Sequence, residues 1–180
     1  MWTDCVCALG ALAAKHAGNR RLLYHYLAQS KRRLLHLFPI YAFFYQKLVA
    51  LINHIGKEKI STSCRRTLVD EIIKAGRLAS KGRCLLMYES QGKKYWGAGH
   101  GLAGIVHALM DMELKPDEVE DVKCTLHFMI RNRFPSGKCP SSEGNESDHL
   151  VHSCHGTPGF ALTLAKAAEV ILLCDAICVK

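Results

Sequence analysis

Proline is scarce in this sequence, with five residues among 180, whereas hydrophobic residues make up 49%. That balance excludes a disordered chain, because disordered segments combine little hydrophobicity with many polar and proline residues. Strand-like alternation is also scarce, while apolar residues recur at helix spacing along much of the chain. The sequence therefore predicts an all-α fold, with residues 1–180 as a single domain large enough to bury a core.

Recognisable nucleic-acid modules are absent, since there is neither zinc-finger spacing nor an aromatic and basic RNP-like run. We therefore predict no nucleic-acid partner. The formal net charge is +8, and the basic residues come in small clusters: Arg20-Arg21, Lys31-Arg32-Arg33, Arg65-Arg66 and Lys93-Lys94. The simplest interpretation is a solvated surface. Attraction of anionic lipid or of a small anion is the alternative.

A basic region is missing at the N-terminus, where a signal peptide would need one, and Asp4 stands there instead. The nine cysteines are odd in number, and several lie in apolar, helix-like segments, which is typical of small hydrophobic residues in a reducing compartment. We therefore expect an intracellular, cytoplasmic protein. Peripheral contact with the plasma membrane stays open as an alternative.

The apolar segment from Leu34 to Ile52 needs separate consideration, because a transmembrane helix has about 20 such residues. His36, Gln46 and Lys47 interrupt it, and Pro39 would kink it. A core helix, or an aromatic-rich segment that does not fold well, is therefore favoured over a transmembrane span.

A short motif occurs twice. "GHGLAGI" at 99–105 and "CHGTPGF" at 154–160 share the pattern His-Gly-x-x-Gly-apolar, and His100 and His155 are 55 residues apart. Each copy precedes a helical pattern, over 102–114 and 159–173, and "PDEVEDVKCTLHFMIRNRF" predicts a further helix between them. "CVCALGALAAKH" and "RRTLVDEIIKAGRLASK" predict two earlier helices. A repeat of about 50 residues with two helices indicates an array of helical hairpins, whose loops face one side.

The predicted core faces follow from the spacing of apolar residues. Leu102, Ile105, Val106 and Leu109 form one face, and Val119, Val122, Leu126, Met129 and Ile130 form another. In the last helix the broader face is predicted to comprise Phe160, Leu162, Leu164, Ala167 and Ala168. The glycines of the loops let backbones approach closely and leave free amides at a helix start, where an anion or thiolate fits.

Two stretches carry a family resemblance. "YWGAGHGLAGIVHALM" and "LVHSCHGTPGFALTLAKAAEV", taken in this order, resemble the eukaryotic LanC-like proteins of the plant type, which are related to bacterial lanthionine-forming cyclases. The resemblance runs from about Asn53 to Val170 and continues weakly over Cys5–Leu27. It implies an α/α toroid, here a partial ring, with a central zinc ion. It also implies addition of a zinc-bound thiol, glutathione in the eukaryotic members, to dehydroalanine or dehydrobutyrine side chains.

The resemblance assigns two site residues. Cys154 stands at a zinc-ligand position, and His100 stands at the position of the active-site histidine, a candidate acid or base. His155 follows the ligand position without being a ligand, and His107 and His152 are expected to be packing or surface residues. Zinc keeps a bound thiol nucleophilic at neutral pH, and a histidine can protonate the enolate that the addition leaves. The structural alternative is a helix-capping role for His100 and a buried thiol for Cys154.

The chain departs from the family pattern in three ways. Ser153 replaces a tryptophan and Thr157 a small alanine, and residues 31–51 lack the expected glycine-containing loop. The other two zinc ligands that the resemblance implies belong to a later Cys-His-Gly motif, which does not occur before Lys180. Cys139, His149 and His152 are the remaining donors near Cys154, with no spacing that recommends them. We therefore expect incomplete catalysis, as in a truncated gene model, a splice form or a pseudogene product.

The sequence is also compatible with two other functions. The basic clusters and the apolar segment suggest a non-enzymatic protein that binds a membrane or a signalling partner. By analogy of fold alone, a toroid also suggests a sugar-cleaving enzyme, which would need paired carboxylates. Glu143, Glu146 and Asp148 lie in a polar loop without such pairing.

Overall fold

The computed structural model describes residues 10–11, 13–34, 56, 61–80, 85–90, 92–99, 101–148 and 152–177, without the side chains of residues 27, 30–34 and 171–177. In these residues the protein consists of helices joined by loops. The helices with defined bounds there are α1 (Arg20–Leu34), α2 (Thr62–Ala79), α3 (Leu102–Leu109), α4 (Pro116–Arg131) and α5 (Thr157–Ile177), and residues 10–11 and 13–16 are also helical. The described residues include no strand, only two isolated antiparallel bridges, Ser90–Lys93 and Tyr95–Ser142. The predicted all-α class is confirmed.

Helix α2 begins where its sequence provides a cap. Ser61 Oγ accepts a hydrogen bond from the Cys64 amide at 3.3 Å, which satisfies one of the free N–H groups of the first turn. Its apolar residues then recur at helix spacing, and four of them are buried: Leu68, Val69, Ile72 and Ile73. The predicted helix before His100 is thus present.

Helix α3 is shorter than the prediction over 102–114. Its four predicted core residues are buried, as expected: Leu102, Ile105, Val106 and Leu109. The helix nevertheless ends at Leu109, and the amides of Asp111 and Met112 bond to carbonyls only three residues back. Pro116 sets only a later limit, because the residue before a proline avoids the helical conformation, and Lys115 is extended at φ −74° and ψ 160°.

Helix α4 begins as predicted, with Pro116 in its first turn and Asp117 and Glu118 beside it. The Glu118 carboxylate accepts a hydrogen bond from the Lys115 amide at 2.8 Å and so closes the N-terminus. Three of the predicted core residues are buried, Val122, Leu126 and Met129, and the other two, Val119 and Ile130, are half-buried.

Helix α5 packs against α3. Phe160 and Ala167 are buried, and Thr163 Oγ1 donates within 3.1 Å of both the Ala103 and Gly159 carbonyls, where the two helices meet. The predicted face was too broad, because Leu162 is 63% exposed and Ala168 is also exposed. Residues 160, 163 and 167 share one side of a helix with 3.6 residues per turn, whereas residue 162 points away from it.

None of the helices in the described ranges is long and apolar enough to cross a membrane. Residues 35–52 of the apolar segment lie outside those ranges.

Candidate functional site

The two copies of the repeated motif lie side by side. The Ala98 amide donates to the Ser153 carbonyl at 3.2 Å, and the Gly99 amide donates to the Cys154 carbonyl at 3.0 Å. The loops therefore pair as two short lengths of backbone, although 55 residues separate them in the sequence. This arrangement confirms the prediction that the loops of the repeats face the same side.

The glycines make this close approach feasible. A Cβ atom on Gly99 would lie 2.7 Å from Cys154 Cβ, and one on Gly97 would overlap the Cys154 carbonyl group. Gly159 is equally constrained, since its Cβ would overlap the Ser153 carbonyl oxygen and lie 2.6 Å from Ala98 Cβ. Space between the loops, not backbone conformation, is what these three positions require.

The first loop is anchored to the start of α3. The Leu102 amide donates to the Tyr95 carbonyl at 2.9 Å, and the Ala103 amide donates to the Trp96 carbonyl at 3.0 Å. Trp96 is buried and its own amide donates to the Ser141 carbonyl at 2.9 Å. The loop is thereby held between α3 and the 141–143 segment, which fixes the backbone that meets Cys154.

Cys154 presents an exposed thiol at this junction. Its Sγ lies 2.9 Å from Nδ1 of His155, and the Tyr95 ring packs edge-on against the His155 ring, with 5.6 Å between centroids. An imidazole at this distance can accept the thiol proton or donate to the sulfur, depending on which nitrogen carries the hydrogen. The arrangement can thus hold and orient one sulfur nucleophile or ligand.

His100 itself lies outside the described residues. Its two neighbours do not: Gly99 contacts Cys154, and Gly101 is the N-cap of α3. The position predicted for the acid or base therefore falls in the chain between the contact with Cys154 and the start of a helix.

The other residues that the sequence suggested as metal ligands or catalytic carboxylates do not join Cys154 in a common site. Burial raises the pKa of the Cys139 thiol, which favours the neutral form over the thiolate that binds metals. His152 is exposed and His149 lies outside the described residues. In the polar loop, Glu143 pairs with Lys94 at 2.9 Å and Asp148 with Lys138 at 3.4 Å, so neither is set up as one of a catalytic pair.

A catalytic zinc ion takes three protein ligands and keeps one position open. In the described part of the chain, no three His, Cys, Asp or Glu side chains lie close enough together to hold a metal ion. Cys154 with its neighbour His155 provides fewer donors than zinc needs, so these residues do not form a zinc site by themselves.

The sequence did not predict that Tyr95 and Trp96 contribute to the site. They belong to the motif "YWGAGHG", yet nothing in their spacing indicates contact with the second loop. Tyr95 reaches His155 only because the two loops pair, which is a tertiary contact.

The helical fold and the paired His-Gly-x-x-Gly loops define a class of protein. The chain belongs to the lanthionine synthetase C-like protein family, whose pattern matches residues 6–177. It is 36% identical over 185 aligned residues to the LanC-like protein GCL1 of Arabidopsis thaliana, covering 92% of this chain and 43% of that relative. It is also 34% identical over 131 aligned residues to the glutathione S-transferase LANCL1 of Danio rerio, covering 68% and 32%. The chain thus spans less than half the length of these curated relatives.

Proposed function

We propose that the paired loops form part of a LanC-like site that adds glutathione or a peptide thiol to dehydroamino acids. The observation that carries this proposal is the backbone pairing of Gly99 with Cys154, which sets the exposed thiol beside the residue that precedes His100 in the sequence. The name of the Danio rerio relative, a glutathione S-transferase, supports glutathione as the thiol.

The proposed addition is balanced without any oxidant or reductant. The sulfur of the thiolate forms a bond to the β-carbon of dehydroalanine or dehydrobutyrine, and the electron pair of the double bond moves to the enolate. The enolate then takes a proton at its α-carbon. We assign this proton to His100, since histidine is the commonest general acid at neutral pH.

For zinc, the proposal assigns a role to one described residue only. Cys154 would supply one thiolate ligand, and the remaining ligands would come from residues other than those described. His155 would then donate a hydrogen bond to the ligating sulfur and orient it, as neighbours of metal ligands commonly do. Because so few donors are present, we expect slow turnover by this chain.

The test is an addition assay with glutathione and a peptide that contains dehydroalanine, with the adduct measured by mass spectrometry and zinc measured in the same preparation. We expect adduct to form faster than without protein, and both the adduct and the bound zinc to be lost in Cys154→Ala. Cys64→Ala on α2 is the matched control, because its thiol is half-buried and distant in sequence from both loops.

The outcomes separate the parts of the proposal. A rate equal to that without protein, or one unchanged by Cys154→Ala, contradicts the thiol-addition site. Adduct formation that depends on Cys154 in zinc-free protein contradicts the ligand role alone. His100→Ala and His152→Ala extend the comparison, since only the first is expected to slow proton transfer.

A further inference from the structure

Tyr95 is held in place by its backbone. The Leu102 amide at the start of α3 donates to the Tyr95 carbonyl at 2.9 Å, and an isolated antiparallel bridge joins Tyr95 to Ser142. Gly101 leaves room for this arrangement, because a Cβ atom on residue 101 would lie 2.5 Å from the Tyr95 carbonyl oxygen. These contacts use backbone atoms only, so they fix the point from which the Tyr95 ring projects.

The direction of this ring follows from the neighbouring residue. Trp96 is buried, and its ring packs on Phe128 of α4 with 5.4 Å between centroids. Successive side chains of an extended segment point to opposite sides, so Tyr95 projects to the other side of the segment. There its ring lies edge-on to His155, with centroids 5.6 Å apart and ring planes at 75°. This geometry is attractive, because the edge of one ring meets the face of the other.

His155 carries the ring whose orientation needs such support. Its Nδ1 lies 2.9 Å from Cys154 Sγ, and its amide donates to the His152 carbonyl at 3.3 Å. Cys154 is exposed and His155 is half-buried. A histidine near the surface turns about χ1 and, over a broad range, about χ2, so few of its orientations put Nδ1 beside a neighbouring sulfur. Holding one of them costs side-chain entropy, which the contact with a packed ring offsets.

We propose that Tyr95 is a positioning residue, which acts through His155 to hold the Cys154 sulfur in one orientation. Its ring supplies the contact, so phenylalanine should replace it and an aliphatic residue should not. The effect on thiol addition rests on the function proposed above, whereas the placement of the imidazole does not depend on any activity.

The placement is measured by NMR on the full ¹⁵N-labelled chain, from the His155 Nδ1 signal that His155→Ala removes. Cys154→Ala should shift this signal, because the sulfur lies within hydrogen-bond distance. In the Tyr95→Leu background the same change should produce less than about half that shift, since an edge-on ring pair favours the held orientation by about 2- to 12-fold. In the Tyr95→Phe background the full shift should return.

The glutathione adduct assay measures the consequence for the reaction. Tyr95→Leu should slow adduct formation by about 2- to 12-fold, and Tyr95→Phe should leave the rate unchanged. In the His155→Ala background, Tyr95→Leu should cause no further loss, because Tyr95 acts only through that ring. Circular dichroism shows that each variant is folded, and Tyr95→Met is a second variant without a ring.

Phe128→Leu is the matched control. It removes the ring that packs on Trp96, and so loosens the same segment from its other side. It should lower the free energy of unfolding but leave the shift of the His155 Nδ1 signal and the adduct rate unchanged.

Four results would overturn the proposal. One is a full Nδ1 shift in the Tyr95→Leu background. A second is a loss in Tyr95→Phe as large as in Tyr95→Leu, which would assign the role to the hydroxyl group. The third is an equal loss in Phe128→Leu, which would mean that stability of the segment explains the effect. The fourth is a further loss on Tyr95→Leu in the His155→Ala background.

The two measurements also separate this proposal from the one on which it rests. An unchanged chain that forms no adduct contradicts the thiol-addition site alone. The Nδ1 shifts then decide by themselves whether Tyr95 positions His155.

Discussion

Gly99 is the residue on which the geometry of the paired loops depends most directly. The Cβ atom of an alanine there would lie 2.7 Å from Cys154 Cβ and 3.1 Å from its Cα. The neighbouring atoms belong to backbone and to a short side chain, so neither loop can yield by a simple change of rotamer.

Gly99→Ala is therefore expected to lower the free energy of unfolding by about 1–3 kcal/mol, the usual cost of overpacking, and to abolish glutathione addition. Urea denaturation and the adduct assay measure the two effects. Gly92→Ala is the control, because Gly92 has φ +74° with open space around it. It should destabilise through backbone strain of about 1–2 kcal/mol while glutathione addition continues. Unimpaired addition by Gly99→Ala would refute the claim that close loop contact sets the site.

At the scale of elements, α2 and α4 are joined by ion pairs that periodicity did not predict. Arg66 on α2 donates to Glu118 on α4 at 2.6 Å, and the Glu118 side chain is only 3% exposed. Arg77, nearer the end of α2, contacts Asp121 at 2.6 Å and Asp117 at 2.8 Å. Burying a carboxylate is costly unless it is paired, so these arginines let α4 place acidic residues against α2.

Removing one arginine should therefore weaken the helix pair. We expect Arg66→Ala to lower the free energy of unfolding by about 2–3 kcal/mol, below the usual 3–5 for a broken buried pair. Glu118 would still accept from the Lys115 amide at 2.8 Å, which explains the smaller loss. The pair of Lys123 and the exposed Glu120 at 3.2 Å is the control, and Glu120→Ala should cost less than about 1 kcal/mol. Equal losses in both variants would contradict the role of burial.

At the scale of the whole molecule, ion pairs on α2 and α4 make stability depend on pH. Hydrogen bonds from Lys115 and then Arg66 lower the pKa of Asp70, and a hydrogen bond from Arg77 lowers the pKa of Asp117. A carboxylate with a lowered pKa contributes stability above the unfolded-state value of about 3.9, and the contribution is lost as pH falls through the folded-state value.

His107 makes stability depend on pH in a second, higher pH range. Burial, and then the charge of Lys166, lower the pKa of His107 in the folded state. The unfolded chain therefore binds this proton first, so stability falls as pH drops below about 6.5.

The free energy of unfolding, measured by urea denaturation at several pH values, should decline in two stages on acidification. His107→Gln should flatten the decline that begins near pH ~6.5, and Arg77→Gln should reduce the decline below pH ~4. Both variants should unfold cooperatively at neutral pH, as the unchanged chain does. A rise in stability between neutral pH and mild acid would contradict the assignment to His107.

Much of the fold was accessible from local patterns. The start of α4 at Pro116 and the buried residues of α3 follow from neighbours within one or two turns of helix. Leu162 shows the limit of such patterns. An apolar side chain favours burial, but which side of α5 is covered depends on where α3 packs.

The sequence by itself determined the helical class, the two His-Gly-x-x-Gly loops and the family to which the chain belongs. These depend on residue types and spacings that are local or recur in the family. Only the tertiary structure decided that Gly99 lies against Cys154, that Tyr95 packs on His155, and that Arg66 pairs with a buried Glu118. Each of these contacts joins residues far apart in the chain, and the packing of one helix on another, which no local spacing specifies, brings them together.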